Sequence, residues 1–589
     1  MKLYTTTLNT LCLAAGISLI ATACGPAENN DDNATTNVTN AQLLDCSSFG
    51  DALTLTDEVQ DGVDYIVDCN ASVRGELVIE PGVIIQFKDE AGLEVSGEGS
   101  ITAEGTAEDP IILTAENQEA GAWRGIYVES SSAKNKLSYV EIEYAGGQQF
   151  NSNGDKGSIV LYSGGKLSLK NSTISDSANY GFNNNYAAEL TFENNTITGS
   201  ELHPITIEAG IMHQLDTAST LTGNGKDSVR VTDGAVSGIT ATWNKLSVPY
   251  FVDNEIRITG DSVINIAPGA SFVFASDTGI SLGEGASFAA EGTAEEKISF
   301  TGELEEKGSW LGIFINSNDP KNKFEHVVID YAGGGSFNSN DDRGALILYS
   351  GSKFSLKNST ISNSKTFGVN ADYDLSGLSF ENNTITGCEQ EPVSIPLANL
   401  SDIDAGSDLT GNARDYVRAN GRTSFTGTVA ATWNTLSVPY FFANNNVYKI
   451  QNEGGVTIEA GTKLVFGANA GLQVNEASSL TAVGTAEKKI EFVGEDAAAE
   501  SWRGIMFYSN DTSNRLEHVI VKSGGSDSFN SNGDEGGVIV YADAQVTLKD
   551  VEITDSGECA VNASYRSSVV IEEGTNVLTG LTASICLPD

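Results

Sequence analysis

The sequence motif with the clearest chemical potential is N-S-N-[G/D]-D-x-G, which occurs three times. Oxygen-bearing side chains at alternate positions, followed by glycine, can wrap a hard cation such as Ca²⁺, which prefers six to eight oxygen ligands. The alternative is a turn in which Asn and Asp side chains bond to the backbone and stack between neighbouring chain segments. The predicted calcium ligands are Asn151, Asn153, Asp155, Asn338, Asn340, Asp342, Asn530, Asn532 and Asp534.

Tryptophan is the second residue type that could contact a ligand. Trp123, Trp310 and Trp502 each begin the pattern W-x-G-I. An aromatic ring of this kind can stack on a sugar, but it can equally fill a core or a turn. We favour packing, because each tryptophan directly precedes a predicted strand.

The four histidines offer little for catalysis. His326 and His518 occupy matching E-H-V positions, but the corresponding residue in the first third of the chain is Tyr139. A ligand role would not tolerate that replacement, so a stacked strand residue is the favoured interpretation. His203 and His213 have no sequence partners and are interpreted as surface residues.

The composition excludes several classes of protein. The chain has 589 residues with 33 basic and 79 acidic side chains, a net charge of −46, and a pI near 4.2. So negative a surface repels phosphate backbones and argues against nucleic-acid binding. No phosphate-binding loop, dinucleotide fingerprint, nucleophile elbow or zinc-ligand spacing is present.

Internal repetition dominates the rest of the sequence. The pattern G-T-A-E begins at Gly105, Gly292 and Gly484, so the offsets are 292 − 105 = 187 and 484 − 292 = 192 residues. The same offsets relate the three W-x-G-I and the three F-N-S-N patterns. The chain therefore contains three homologous units, over residues 43–235, 236–426 and 427–589.

A shorter period lies within each unit. KNSTI at Lys170 is followed by ENNTI at Glu193, a step of 23 residues, and the runs between such motifs alternate apolar and polar side chains. Repeats of about twenty residues with period-two alternation predict stacked coils of short strands. The predicted fold is all-β, a right-handed parallel β-helix solenoid built from three units.

These motifs resemble a known family. The order I-E-P-G, G-L-E-V, G-T-A-E, W-R-G-I and L-S-Y-V-E-I-E-Y-A-G-G is similar to the right-handed parallel β-helices of bacterial secreted and surface proteins, within the pectin-lyase-like superfamily. The resemblance covers nearly all of residues 43–589 and implies the fold, since the family includes pectin-degrading enzymes, adhesins and other proteins. The N-T-D, paired D-D, G-H-G and R-I-K segments of its hydrolases are absent. The resemblance to pectate lyases implies a basic arginine that faces the groove. Arg124 and Arg503 match one another, but the second unit has Leu311 there.

The N-terminal segment predicts export. Residues 1–23 are interpreted as a signal peptide, and the small residues before Cys24 resemble the lipobox of bacterial lipoproteins, in which the cysteine carries the lipid. An ordinary secretory signal cut after Ala-Thr-Ala is the alternative. Residues 24–42 are predicted to be a polar, disordered tether. The expected location is extracytoplasmic and membrane-anchored, at the outer membrane or the cell surface.

Five cysteines remain beyond the anchor. Cys46 and Cys69 are 23 residues apart, or one coil, and Cys559 and Cys586 are 27 apart. Residues one coil apart stack at about 4.8 Å, within the Cα separation that a disulfide needs. The sequence predicts one disulfide at each end of the solenoid and a free, buried thiol at Cys388. Five reduced cysteines are the alternative.

Two functional hypotheses follow. The first is a tethered surface scaffold that is adhesin-like or contacts a polysaccharide or another surface protein, since three similar units multiply a binding surface and gain avidity. The second is a polysaccharide lyase or glycoside hydrolase on acidic or neutral glycans, which should show a cluster of acidic or arginine residues private to one unit. The units are nearly equal in length up to the point where the third is truncated at its C-terminal cap, which favours the scaffold. No cofactor is indicated other than the possible Ca²⁺.

Overall fold

A computed structural model describes residues 41–60, 62–186, 188–421, 423–426, 430–564 and 566–587. The predicted signal peptide, Cys24 and most of the predicted tether lie outside these ranges. Residues Asn40–Asp589 form one compact unit. Within the described ranges, no helix has the length and apolarity needed to cross a membrane.

Short strands and tight turns make up almost all of this unit. Its three 3-10 helices are Cys46–Gly50, Ala209–Gln214 and Leu397–Asp402. The strands up to residue 237 are β1 Gln42–Leu44, β2 Leu53–Leu55, β3 Tyr65–Val67, β4 Asn70–Val73, β5 Glu76–Ile79, β6 Ile84–Phe87, β7 Gly92–Val95, β8 Ser100–Glu104, β9 Ile111–Ala115, β10 Gly125–Val128, β11 Lys136–Ser138, β12 Val140–Glu143, β13 Ile159–Leu161, β14 Lys166–Lys170, β15 Thr173–Ser175, β16 Phe182–Asn184, β17 Glu189–Glu193, β18 Thr196–Thr198, β19 Ile205–Ile207, β20 Val229–Val231 and β21 Ala235–Ser237.

The strands of the second and third units repeat this arrangement. Up to residue 433 they are β22 Thr240–Trp243, β23 Tyr250–Val252, β24 Ile256–Thr259, β25 Val263–Ile266, β26 Ser271–Phe274, β27 Gly279–Leu282, β28 Ser287–Glu291, β29 Ile298–Gly302, β30 Gly312–Ile315, β31 Lys323–Glu325, β32 Val327–Asp330, β33 Leu346–Leu348, β34 Lys353–Lys357, β35 Thr360–Ser362, β36 Val369–Asn370, β37 Gly377–Glu381, β38 Thr384–Thr386, β39 Val393–Ile395, β40 Val417–Ala419, β41 Ser424–Thr426 and β42 Ala430–Trp433. The remainder are β43 Tyr440–Phe442, β44 Val447–Gln451, β45 Gly455–Ile458, β46 Lys463–Phe466, β47 Gly471–Val474, β48 Ser479–Val483, β49 Ile490–Gly494, β50 Gly504–Phe507, β51 Arg515–Glu517, β52 Val519–Lys522, β53 Val538–Val540, β54 Gln545–Lys549, β55 Glu552–Ser556, β56 Cys559–Ala563, β57 Ser568–Ile571, β58 Val577–Gly580 and β59 Ala583–Cys586.

Three strands make one coil, and each strand of a coil belongs to a different sheet. In the first unit, sheet 1 runs from β1 to β18, sheet 2 begins at β4, and sheet 3 runs from β2 to β17. Every strand pair among the described residues is parallel, and each strand inside a sheet bonds to the strands one coil before and after it, whereas the strands that end a sheet pair on one side. This arrangement confirms the predicted parallel β-helix.

The core is one continuous apolar column inside the coils. Inward side chains such as Val67, Phe87 and Ile142 are fully buried. They alternate along each strand with outward polar residues. Trp123, Trp310 and Trp502 are also fully buried, and their rings stack on Phe87, Phe274 and Phe466 at 4.0, 4.2 and 4.1 Å. The preference for packing over sugar stacking at these tryptophans is confirmed.

Coil length varies more than the sequence period of 23 predicts. Partners in register are 20 residues apart at Tyr65 and Ile85, and 34 residues apart at Ala103 and Leu137. The difference arises because loops between strands leave the coil and return without changing the register. The same feature lets each unit carry one long loop between its β12-type and β13-type strands.

Each unit is turned by one face relative to the unit before it. Sheet 2 takes seven steps from β4 to β23, and β23 is the homologue of β3, which lies on sheet 1. The second face of the first unit therefore becomes the first face of the second unit. Sheet 4, which runs from β21 to β58, repeats the shift between the second and third units through β40 and β43.

Cysteines join coils at both ends of the column. Cys46 is disulfide-bonded to Cys69 with a Cα–Cα distance of 6.4 Å, and Cys559 to Cys586 with a distance of 6.0 Å. The remaining cysteine of the described chain, Cys388, is a buried thiol. Burial raises the pKa of Cys388 to about 11.

Candidate functional site

A loop crosses the outside of the second face in every unit. These three cover loops are residues 148–157, 335–344 and 527–536. In the first, the Phe150 ring lies 5.3 Å from the ring of Tyr127, which points away from the core yet is only 6% exposed. Outward Val160, in the next coil, is likewise fully buried. The loops therefore cover outward apolar side chains that would otherwise face water.

The phenylalanine of the cover loop anchors it to the coil. A Cβ placed on Gly279 would lie 2.7 Å from Cζ of Phe337, and one on Gly471 would lie 2.6 Å from Cζ of Phe529. Only glycine leaves room for these rings. In the second and third units, this packing couples the F-N-S-N pattern to the glycine that begins the strand beneath it.

The predicted calcium ligands bond mainly to one another. The side-chain amide of the first asparagine donates to the aspartate carboxylate at 2.7, 2.6 and 2.7 Å in Asn151–Asp155, Asn338–Asp342 and Asn530–Asp534. The Asn151 oxygen accepts the backbone N–H of Asn153 at 3.0 Å. This is the geometry of the turn alternative, and no cluster of three or more acidic, histidine or cysteine ligands occurs in the described ranges. Calcium binding stays a prediction.

The second asparagine of each motif binds a tyrosine. Asn153 Nδ2 donates to the Tyr186 hydroxyl at 3.0 Å, Asn340 Nδ2 to Tyr373 at 2.9 Å, and Asn532 Nδ2 to Tyr541 at 2.8 Å. These asparagines are exposed. The tip of each cover loop therefore presents an amide beside a phenol at the surface.

Tyrosines of neighbouring coils pack against each other with their ring planes tilted or edge-on. Ring centroids are 4.4 Å apart for Tyr162–Tyr186 and 4.8 Å apart for Tyr349–Tyr373, and the third unit has Tyr508–Tyr541 at 5.9 Å. All are partly exposed. We call each pair, with its asparagine, a tyrosine–asparagine site. Its rings offer apolar faces and its amide and hydroxyls offer donors and acceptors, which suits a sugar ring.

Burial and nearby carboxylates raise the pKa of two of these phenols, Tyr186 and Tyr508. Burial and the hydrogen bond to Asp155 raise the pKa of Tyr186, although the amide of Asn153 opposes the shift. In the third unit, the hydrogen bond and charge of Glu476 raise the pKa of Tyr508.

The third unit adds a groove next to its site. A cleft of about 610 Å³ is lined by Gln451, Asn452, Glu453, Gln473, Asn475, Glu476, Ala477 and Tyr508. The amides bridge consecutive coils, with Gln473 Nε2 donating to Asn475 at 2.7 Å and Asn475 Nδ2 donating to Gln451 at 3.2 Å. The first and second units have Glu129 and Asn316 at the position of Tyr508. This tyrosine-lined groove is therefore specific to the third unit.

The second unit has an acidic residue, Asp372, that the other two units lack at the equivalent position. Asp372 stands where the first unit has Asn185 and the third has Ser564. Burial and the hydrogen-bonded Asp342 carboxyl raise the pKa of Asp372 to about 6, while Asn370 and Arg418 oppose the shift. Catalytic carboxyls of glycoside hydrolases lie about 5 Å or more apart, so a hydrogen-bonded pair fits neither a retaining nor an inverting arrangement.

The remaining sequence candidates have structural roles. Arg503 donates to the carbonyls of Asn469 and Ser528 and pairs with Asp527 at 2.8 Å, which secures the base of its cover loop. The Arg124 guanidinium lies 5.8 Å over the Phe150 ring. Both side chains are only partly exposed, and each packs against its cover loop.

Two expectations for histidine are wrong. His203 is 4% exposed, not a surface residue, because its ring stacks between Tyr180 and Phe251 and its Nδ1 bonds to Ser228. His213 lies half-buried in the second 3-10 helix. His326 and His518 are not strand residues, since each occupies a left-handed bend with φ of 50°, as Tyr139 does at 49°.

Comparison with known proteins agrees with this architecture. Residues 54–139 match the family model described as a pectate-lyase-like β-helix domain. Together with the stacked parallel sheets, this match supports a β-helix fold similar to that of the pectin-lyase-like proteins. No curated protein matches the chain. The fold supports a general polysaccharide-related or scaffold role.

Sequence reasoning missed the tyrosines. Tyr162, Tyr349 and Tyr541 obey the offsets 187 and 192, as do Tyr186, Tyr373 and Tyr565, although Tyr565 lies outside the described residues. That regularity was available in the sequence. Only the structure brings these rings to the tip of the N-S-N loop, because loop and tyrosines are separated by a whole strand or coil.

Proposed function

We propose that the protein is a lipid-anchored, extracytoplasmic scaffold that binds neutral polysaccharide chains at its tyrosine–asparagine sites. The observation that carries this proposal is an exposed asparagine amide beside a partly exposed tyrosine in every unit. Asn153–Tyr186 and Asn340–Tyr373 are equivalent pairs, whereas Asn532 bonds to Tyr541, which corresponds to Tyr162 and Tyr349. Stacking rings beside fixed amides recognise sugars without requiring charge.

The negative charge of the protein favours neutral glycans over acidic glycans as ligands. A net charge of −46 repels acidic chains such as polyuronates at low and moderate ionic strength. The amide-lined groove of the third unit likewise offers neutral donors and acceptors. A β-linked neutral glucan, whose sugar rings present apolar faces along an extended chain, is the ligand class we propose for the partly exposed tyrosine rings.

Replacement of Tyr508 tests the binding proposal. Tyr508→Ala removes a ring of the third-unit groove and should weaken binding of mixed-linkage β-glucan to an isolated third-unit site roughly tenfold, equivalent to about 1.4 kcal/mol. Tyr508→Phe keeps the ring and should retain most of the affinity. The measurement is isothermal calorimetry in a background that carries Ala at Tyr162, Tyr186, Tyr349 and Tyr373, so that only this site binds.

Tyr331→Ala, on a turn away from these sites, is the control for nonspecific effects. Equal affinity for the chain with and without the Tyr508 ring would contradict the assignment of the groove. A reducing-end assay on the same protein and glucan mixtures tests the hydrolase alternative. Release of reducing ends that depends on Asp372 would establish an enzyme, whereas the scaffold proposal expects none.

The lipid anchor requires a separate test. Cys24→Ala removes the only thiol that the lipobox pattern presents for modification, so the variant should move from the membrane fraction to the soluble fraction. The wild-type chain and Cys388→Ala serve as controls in the same fractionation. Cys24→Ala that stays with the membranes would contradict the anchor. Outer-membrane or cell-surface display is the address we propose, since Gly25, not Asp, follows the cysteine.

A further inference from the structure

We infer that one molecule of this protein holds three polysaccharide chains on three different sides and so acts as a cross-linker. The inference rests on the proposed function, because it concerns how the tyrosine–asparagine sites are distributed. It differs from the expectation that three repeats add avidity toward one surface.

The sheet order places the cover loops on different faces. The first cover loop crosses sheet 2, over β10 and β13, and the second crosses sheet 4, over β30 and β33. In the second unit, sheet 2 is the first face and sheet 4 is the second, so the two loops lie on adjacent faces. The third loop crosses the sheet of β50 and β53, which follows sheet 4 in the third unit.

A three-sided coil makes this distribution complete. Each unit advances one face, and the three units therefore use all three faces once. The cause is the length of a unit, which comprises seven coils and one additional strand. The seven coils are the seven steps along one sheet from β4 to β23, or from β24 to β43. A unit with a whole number of coils would have aligned the three sites in one row.

The spacing prevents one straight chain from reaching two sites. Seven coils at about 4.8 Å per coil separate equivalent sites by about 34 Å along the axis. Adjacent sites also face different directions, so a stiff chain bound along one face runs clear of the next site. Avidity toward a single chain requires simultaneous engagement, which this geometry opposes. Three separate chains can bind without interfering.

The sites have separable chemistry, so each can be disabled alone. The pairs to replace with alanine are Tyr162 and Tyr186, Tyr349 and Tyr373, and Tyr508 and Tyr541. All six side chains lie at the surface of the coil and outside the continuous core. Circular dichroism and the melting temperature establish that each variant is folded before binding is measured.

The test combines stoichiometry with cross-linking. Calorimetry with the mixed-linkage β-glucan hexasaccharide should give three sites per wild-type molecule, two after one pair is replaced, and one after two pairs are replaced. With long mixed-linkage β-glucan, wild-type protein should raise the solution viscosity severalfold at intermediate ratios. Variants with one remaining site should bind the polymer and leave its viscosity unchanged.

The outcomes separate the inference from the proposed function. Hexasaccharide binding with a stoichiometry of one, or polymer binding without any rise in viscosity, would overturn the cross-linker and leave polysaccharide binding intact. Absence of binding by the wild-type protein to both probes would overturn the proposed function and the inference together. Equal viscosity with wild-type protein and with one-site variants would also overturn the cross-linker.

Discussion

Asparagine serves chiefly to join neighbouring coils in this protein. The buried Asn135, Asn322 and Asn514 occupy equivalent positions, and each accepts a backbone N–H from the preceding coil at 3.1, 3.0 and 3.0 Å. The first asparagine of each cover loop likewise closes a local turn. An oxygen-rich motif in a β-helix therefore has a strong structural explanation before any metal is invoked. The exposed second asparagine is the one left to meet a ligand.

Asp372 should make stability depend on pH. Its folded-state pKa of about 6 lies above the ordinary aspartate value, so its contribution to stability is complete at pH below that ordinary value and is lost as the pH rises through about 6. Asp372→Asn removes this loss, and Asn185 already fills the equivalent position. The melting temperature of the variant, relative to wild type, should therefore rise between pH 4 and pH 7.

The control for this shift is Asp374→Asn, which changes a carboxylate in the same turn. Thermal melts of the three proteins at pH 4, 5, 6 and 7 give the comparison. If the curves of wild type and Asp372→Asn stay parallel across that range, the coupling between Asp342 and Asp372 is absent.

At the scale of the elements, alternation and repeat spacing were sufficient to predict the strands. Val140, Ile142 and their equivalents alternate with polar residues, and the stacked parallel coils confirm that pattern. What the sequence could not provide is the path of the cover loops, because the 15-residue connection between β12 and β13 has no periodicity. His203 illustrates the same limit, since its burial depends on Tyr180 and Phe251 from other coils.

The terminal coils should contain no free thiols. Cys46–Cys69 and Cys559–Cys586 each link strands or turns of adjacent coils at an end of the column, where pairing on one side is missing. Thiol titration of unreduced, denatured protein should find one cysteine beyond Cys24, which is Cys388. Native protein should react far more slowly, because burial raises the pKa of Cys388 to about 11. Five reactive thiols would contradict both disulfides.

Considered as a whole, the molecule is a continuous column whose repeats are displaced around its axis. The same sheet is the second face of one unit and the first face of the next, so homologous side chains never share a row. The duplicated units therefore present equivalent sites in different directions and do not enlarge a single binding surface. Residues found in only one unit modify this shared architecture locally. The third unit has an amide-lined groove, and the second unit has the acidic residue Asp372.

Hydrogen–deuterium exchange with the mixed-linkage β-glucan hexasaccharide tests the central claim most directly. Cover loops have short strands beside them and exposed tips, so their amides should exchange readily in the free protein. On addition of the hexasaccharide, we predict slower exchange in residues 148–157, 335–344 and 527–536 and in the adjoining tyrosine turns, with the coils between them unchanged. Unchanged exchange in all three loops, or protection confined to another face of the column, would contradict the account.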